Sequence, residues 1–158
     1  MPNNASVTLH AAAWASRLAR DIANASDRVT ISALSMLHPT PTARGPWPEL
    51  YNALITARAR AIRVEMFLAA PQAPHPATRQ NATTAAHAHE RGITVHLIPG
   101  PRLLHAKCCI IDDAITWIGS GNLTAAACGP NHELYGRIES QAIAQQTRDA
   151  LLSLLIPS

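Results

Sequence analysis

Apolar residues fall along this chain in two spacings. Short, nearly continuous apolar runs at Arg28–Leu37, Ala61–Ala69, Ile93–Ile98, Leu103–Asp112, Ile115–Gly119 and Leu134–Glu139 predict strands. Between them the apolar positions recur at helical spacing. The first twenty-five residues predict a helix, with Leu9, Ala13, Leu18 and Ile22 near one face and Arg17, Arg20 and Asp21 elsewhere. Pro48–Arg60 predicts a second helix, with Leu50, Leu54 and Ala57 in register. Ala77–Arg91 predicts a third, closed by Gly92 as C-terminal cap. A short helix near Asn122–Ala127 and a closing helix at Gln141–Leu155 complete the set. Turn-forming residues mark loops at His38–Pro48 and Pro71–Pro76, and Asp112-Asp113-Ala114 reads as a hairpin turn. Strands alternating with helices of this length predict an α/β fold, a mixed β-sheet flanked by helices on both faces. The chain reads as a single domain over residues 1–158, without internal repeat or long linker.

Composition narrows the class. With 158 residues, 47% hydrophobic and 15% charged, the chain can bury a full core and is globular rather than disordered. Aromatics are 4%, so alanine, leucine and isoleucine must build that core. No apolar run approaches the roughly 18–20 residues of a membrane span. A net charge of +3 and a pI near 9.1 favour polyanionic partners weakly, and a strongly basic arm is absent. The cysteines are Cys108, Cys109 and Cys128; an odd count with an adjacent pair in a buried strand argues against a disulfide framework and for a reducing compartment. No C-x-x-C or H-x3-H spacing supports zinc. Leu9–Ala19 is interrupted by His10 and Arg17 and follows no cationic region, so a cytoplasmic location is expected, with a secreted or periplasmic one as the alternative if a leader has been removed.

The most informative stretch is His105–Asn122: H-x-K, four residues, Asp112, six residues, then Gly119-Ser120-Gly121-Asn122. Side chains two apart on a strand share a face, so His105 and Lys107 point the same way. Asp112, seven positions from His105 and at the hairpin, is expected to fix the turn rather than to take a proton. A buried lysine needs an anionic partner, and a phosphate would supply one. The glycines of the G-S-x-N segment allow close backbone approach and open a helix whose N-terminus can meet an anion. Asn122 can donate its amide to a phosphoryl oxygen. An imidazole, an ammonium, a hydroxyl and a carboxamide at this spacing suit attack on a phosphodiester without a metal.

The arrangement resembles the phospholipase D superfamily, whose members share this signature, and in particular its single-motif, homodimeric branch of small bacterial endonucleases. The order of helices and strands from Glu49 to Ile98 is similar, and Asn131-His132-Glu133 falls where that family carries an acidic residue. The resemblance implies that His105 attacks phosphorus and forms a phosphohistidine. It implies that Lys107 and Asn122 hold the non-bridging oxygens, supported by Ser120. Glu133 would accept a hydrogen bond from the other ring nitrogen of His105 and set its tautomer. Asp112 and Gly119 would be structural members of the motif. The family uses two such motifs per site and this chain has one, so a twofold homodimer with His105 of each copy at the axis is implied, with no metal and no cofactor.

Other residues carry less. His38 and His75 follow predicted strands, where α/β sites gather, and His38 and Arg102 are candidate substrate contacts. His87 and His89, two apart on a helix, face different directions and form poor metal geometry. Three functions follow: a nuclease, a phospholipase D or transphosphatidylase acting on phospholipid headgroups, and a non-catalytic polyanion-binding dimer. An exposed apolar lip near the site would favour the lipid reading, with Met36-Leu37 and the loop carrying Trp47 as candidates.

Overall fold

The computed structural model describes residues 5–71 and 75–156; part of the expected Pro71–Pro76 loop and the first four residues of the expected N-terminal helix lie outside the described residues. Strand β1 (Ser6–His10) leads into α1 (Trp14–Ala23), β2 (Arg28–Ala33), α2 (Pro46–Ala59) and β3 (Arg63–Ala69). A single 3-10 turn at Pro76–Thr78 precedes α3 (Asn81–His89), β4 (Thr94–Ile98), β5 (Cys108–Ile111), β6 (Ile115–Gly119), α4 (Ala125–Cys128), β7 (Tyr135–Glu139) and α5 (Gln141–Ser153). The strands form one sheet in the order β1-β7-β6-β5-β2-β3-β4. Strands β2, β3 and β4 run parallel, and the remaining pairs are antiparallel.

Strict alternation on the central strands separates two cores. Val29 and Ile31 of β2, Val64, Met66 and Leu68 of β3, and Cys109 and Ile111 of β5 pack with Trp14, Leu18 and Ile22 of α1 and with Leu50, Tyr51 and Leu54 of α2. Phe67 and Ala69 of β3 and Cys108 and Ile110 of β5 face the other way, onto Ala144 and Leu151 of α5. Helices therefore cover both faces of the mixed sheet, as the sequence predicted.

Several elements differ from expectation: α3 begins at Asn81 rather than Ala77, and the short helix begins at Ala125, capped by Thr124, so the G-S-x-N segment does not itself open it. The N-terminal helix begins at Trp14, and the residues before it form edge strand β1, with Leu9 opposite Gly136 of β7. Val7 and Leu9 are exposed, so Leu9 belongs to no helical core face. The expected strand Leu103–Asp112 is regular over Cys108–Ile111 alone, and His105 and Lys107 lie on the extended segment entering it. The turn after β5 places Asp112 and Asp113 at φ 52° and 51°, with the Ala114 N–H bonded to the Ile111 carbonyl at 3.0 Å. Gly92 closes α3 at φ 77°, a left-handed position that suits glycine. Among the described residues no helix is long and apolar enough to cross a membrane.

Candidate active site

His105, Lys107, Ser120 and Asn122 lie where β2 ends, β5 begins and β6 ends, the carboxyl edge of the parallel strands where α/β sites collect, whereas Asp112 does not. Antiparallel pairing of Cys108 with both Ser32 and Ile118 brings these three strand ends together. Ser32 Oγ donates to the Ala106 carbonyl at 3.1 Å and the Gly119 N–H to the Lys107 carbonyl at 3.1 Å, which holds the His105–Lys107 segment in place. The Leu123 N–H bonds the Ser35 carbonyl at 3.1 Å, and the Leu37 N–H returns to the Leu123 carbonyl at 3.2 Å. Those two bonds fasten the Asn122 turn beside the end of β2.

His105 is exposed at the mouth and Lys107, 7% exposed, lies beneath it. Lys107 Nζ donates to the His105 carbonyl at 2.8 Å and lies 2.9 Å from Nδ1 and 3.1 Å from Nε2 of the same ring. An ammonium carries donors alone, so the ring nitrogen that it bonds presents its lone pair. Burial lowers the Lys107 pKa, and the carboxylate of Glu133 works against that shift. A poorly solvated cation beside an imidazole ring is a site that gains from an anionic ligand.

Ser120 Oγ donates to Glu133 Oε2 and accepts the Leu134 N–H at 3.1 Å, while Asn131 Nδ2 donates to Glu133 Oε1 at 3.3 Å. Glu133 thus pairs with Ser120 and Asn131, and no hydrogen bond joins it to His105 among the described residues, unlike the contact expected from the sequence. Asn122 Oδ1 is sealed from solvent without a hydrogen-bond partner among the described residues. Gly119 lies flat on the Tyr135 ring, where an added Cβ would come within 2.4 Å of the ring carbons. The Tyr135 hydroxyl donates to the Gly121 carbonyl at 2.5 Å, so one side chain packs under the turn and ties it down. An open depression over the site is lined by His105, Lys107, Ile118, Ser120 and Thr147.

Asp112 stands at the far end of β5, roughly 20 Å from His105 for seven residues of extended chain. Its Oδ2 accepts the Ser26 N–H at 2.8 Å and Ser26 Oγ at 2.9 Å, and its Oδ1 accepts the N–H groups of Asp27 and Arg28 at 2.8 and 3.0 Å. Burial pushes the Asp112 carboxyl up, but these hydrogen bonds prevail and hold it below the usual carboxylate range. Arg102 is exposed directly after the cis Gly100–Pro101 pair and makes no hydrogen bond or ion pair among the described residues. His38 lines a different depression, with Tyr51 and His87. Of the expected apolar lip, Met36 and Trp47 are core residues, but Leu37, bonded to Leu123 beside the Asn122 turn, is 42% exposed, and Ile118 and Leu134 are 44% and 52% exposed beside the site. Asn131, Tyr135 and Thr147 were not anticipated. Asn131 could have been noticed from its place beside Glu133; Thr147 carries no sequence signal, because α5 reaches the site through tertiary packing.

The family model described as "Cardiolipin synthase, PLD-like domain" matches residues 18–155. No curated protein matches the chain significantly. Among solved structures, the fold is similar to Nuc, a phospholipase D family member from Salmonella typhimurium, with a TM-score of 0.78 at 18% identity over 96% of this chain and 95% of that one. NucT from Helicobacter pylori gives 0.72 at 17% identity, covering 96% of each chain. Phosphatidylserine synthase from Haemophilus influenzae gives 0.68 at 14% identity over 90% of this chain but 35% of that one. With the family model spanning nearly the whole chain, and the fold shared with Nuc and NucT along their full length, this chain belongs to the phospholipase D-like domain family.

Proposed function

We propose that the protein is a metal-independent phosphodiesterase acting on nucleic acid, with His105 as nucleophile. The observation that carries this reading is the buried Lys107 ammonium held 2.9 Å from a ring nitrogen of His105 at an open depression. An imidazole lone pair attacks phosphorus, a nitrogen–phosphorus bond forms and the phosphorus–oxygen bond to the leaving group breaks. Lys107 and Asn122 offset the charge gathering on the non-bridging oxygens. The leaving alkoxide needs a proton, and in the second step water must lose one as it displaces the histidine. A second His105, from a twofold-related copy, serves both needs. The sheet offers a surface for that copy: Leu9, Gly136 and Ile118 align across β1, β7 and β6, and Leu9 and Ile118 remain 67% and 44% exposed. Ser120 and Asn131 fix Glu133 against the turn, where its carboxylate favours the charged form of Lys107. The higher fold similarity to Nuc and NucT, with TM-scores of 0.78 and 0.72 against 0.68 for phosphatidylserine synthase, supports the nuclease over the lipid reading.

The phospholipid reading is supported by the exposed Leu134 at the rim, which could receive an acyl chain. Plasmid DNA, single-stranded DNA, RNA and phosphatidylcholine vesicles, each offered in EDTA to wild type and His105→Ala, separate the readings. Nucleic-acid cleavage that survives EDTA and disappears in His105→Ala is the expected result. Headgroup release alone transfers the assignment to the lipid; saturable binding without turnover identifies a polyanion-binding dimer; and activity that needs a metal overturns the mechanism.

A further inference from the structure

A second cluster of chemically capable side chains lies between α2 and α3, away from the His105 depression. Its cleft is lined by His38, Arg44, Tyr51, His87 and Arg91, and no carboxylate lines it. The imidazoles of His38 and His87 stack with centroids 4.5 Å apart. Tyr51 Oη lies 2.6 Å from His87 Nδ1. Burial raises the Tyr51 pKa to about 12, so the phenol is protonated and donates, which leaves His87 Nε2 as the N–H of the neutral ring. Burial lowers the His87 pKa, and Arg91 and His38 lower it further against an opposing pull from Glu90. His38 Nδ1 is sealed from solvent without a partner among the described residues. Arg44 and Arg91 are exposed; Arg91 donates to the His87 carbonyl at 2.9 Å and meets Glu90 at 3.9 Å, and Arg44 donates to the Ala43 carbonyl at 3.0 Å. Both guanidiniums keep donors to spare.

We propose that this cleft binds a phosphate group, held by the Arg44 and Arg91 guanidiniums and the stacked His38–His87 pair. Guanidinium forks and imidazole N–H groups match the several oxygens of a phosphate better than the single charge of a halide. Pro39 and Pro41 stiffen the wall opposite α3 and reduce the entropy lost when a ligand is ordered there. The cleft is wired to the His105 site through the backbone. The His38 N–H bonds Thr84 Oγ1 at 3.3 Å, Thr84 Oγ1 donates to the Met36 carbonyl at 2.9 Å, and Met36 bridges Leu123, the residue after Asn122. A phosphate seated at His38 is therefore placed to register a phosphodiester chain whose scissile group lies at His105, and a free orthophosphate would satisfy the same donors.

Histidine side-chain NMR at pH 7 tests the proposal. Wild type is titrated with inorganic phosphate against sodium chloride of equal ionic strength. Saturable shifts of the His38 and His87 ring resonances with phosphate, and binding about tenfold weaker or less in Arg44→Gln/Arg91→Gln, are expected. Both arginines are exposed, so the double variant should keep the wild-type fold, checked by its remaining histidine resonances. A parallel titration of His105→Ala with single-stranded DNA identifies the source. Shifts at His38 and His87 with the oligonucleotide assign the site to the substrate chain; shifts with inorganic phosphate alone assign it to free phosphate. This arm rests on the nuclease reading, and the inorganic phosphate arm does not. Resonances that move equally with chloride, or an undiminished response in the double variant, overturn the site.

Discussion

Asp112→Asn isolates what the aspartate of the signature contributes. The wild-type carboxylate takes four hydrogen bonds, two on each oxygen, from Ser26, Asp27 and Arg28. The amide keeps one acceptor oxygen and turns an NH2 group toward the other two donors. Two charge-assisted bonds are lost and two donors face a donor, each bond being worth about 1.5–3 kcal/mol when one partner is ionised. Water can reach this edge of the sheet and recovers part of the loss, leaving a destabilisation of about 2–3 kcal/mol. For a chain of 158 residues that lowers Tm by about 5–10 °C. Urea unfolding at pH 7 measures it directly. The folded Asp112 pKa lies below its unfolded value, so its contribution is complete above about pH 4 and is lost as pH falls through the folded value. The gap between wild type and variant therefore narrows in acid. Turnover of bis(p-nitrophenyl) phosphate at 15 °C, where the variant is folded, should stay within about threefold of wild type, since Asp112 stands roughly 20 Å from His105. A variant of unchanged stability that has lost about 100-fold or more of its activity would place Asp112 in the chemistry and refute this reasoning.

Lys107→Met removes a buried ammonium whose nearest partners are neutral, so the variant should gain about 1 kcal/mol in urea at pH 7 while turnover falls about 100-fold or more. The folded Lys107 pKa lies below its ordinary 10.5, so wild type gains stability as pH rises through the folded value toward 10.5; the variant's advantage should shrink over that window, and an advantage constant with pH would contradict the assignment. Gly119→Ala should cost about 1–3 kcal/mol and displace Asn122, because Tyr135 is held by its bond to Gly121 and by its stack on Trp14 at 4.0 Å; a changed near-UV circular dichroism spectrum accompanied by lost turnover is expected, and an unchanged protein would show that the ring can move aside.

Local sequence by itself determined a great deal here. Turn residues and apolar runs located six of the seven strands: β2, β3 and β5 are buried and must be apolar whatever they pair with, and β4, β6 and β7 are partly exposed but keep enough apolar residues to be recognised. The spacing of His105, Lys107, Ser120 and Asn122 marked the candidate site, because a short hairpin brings residues close in sequence close in space. Tertiary structure decided what depends on distant partners. Strand β1 was hidden because an edge strand with Val7 and Leu9 in solvent has no inward apolar face to betray it; its pairing with β7, more than a hundred residues away, defines it. The partner of Glu133 could not be read either, since Ser120 and Asn131 reach its two oxygens ahead of His105. His38 follows a strand end like a site residue, yet Thr84 and His87 of α3 draw it into the neighbouring cleft. Residue type and local spacing set which groups can react; the long-range pairing of the sheet and the packing of helices on it set which groups meet, because those contacts are fixed by burial and hydrogen bonding between segments that local sequence does not connect.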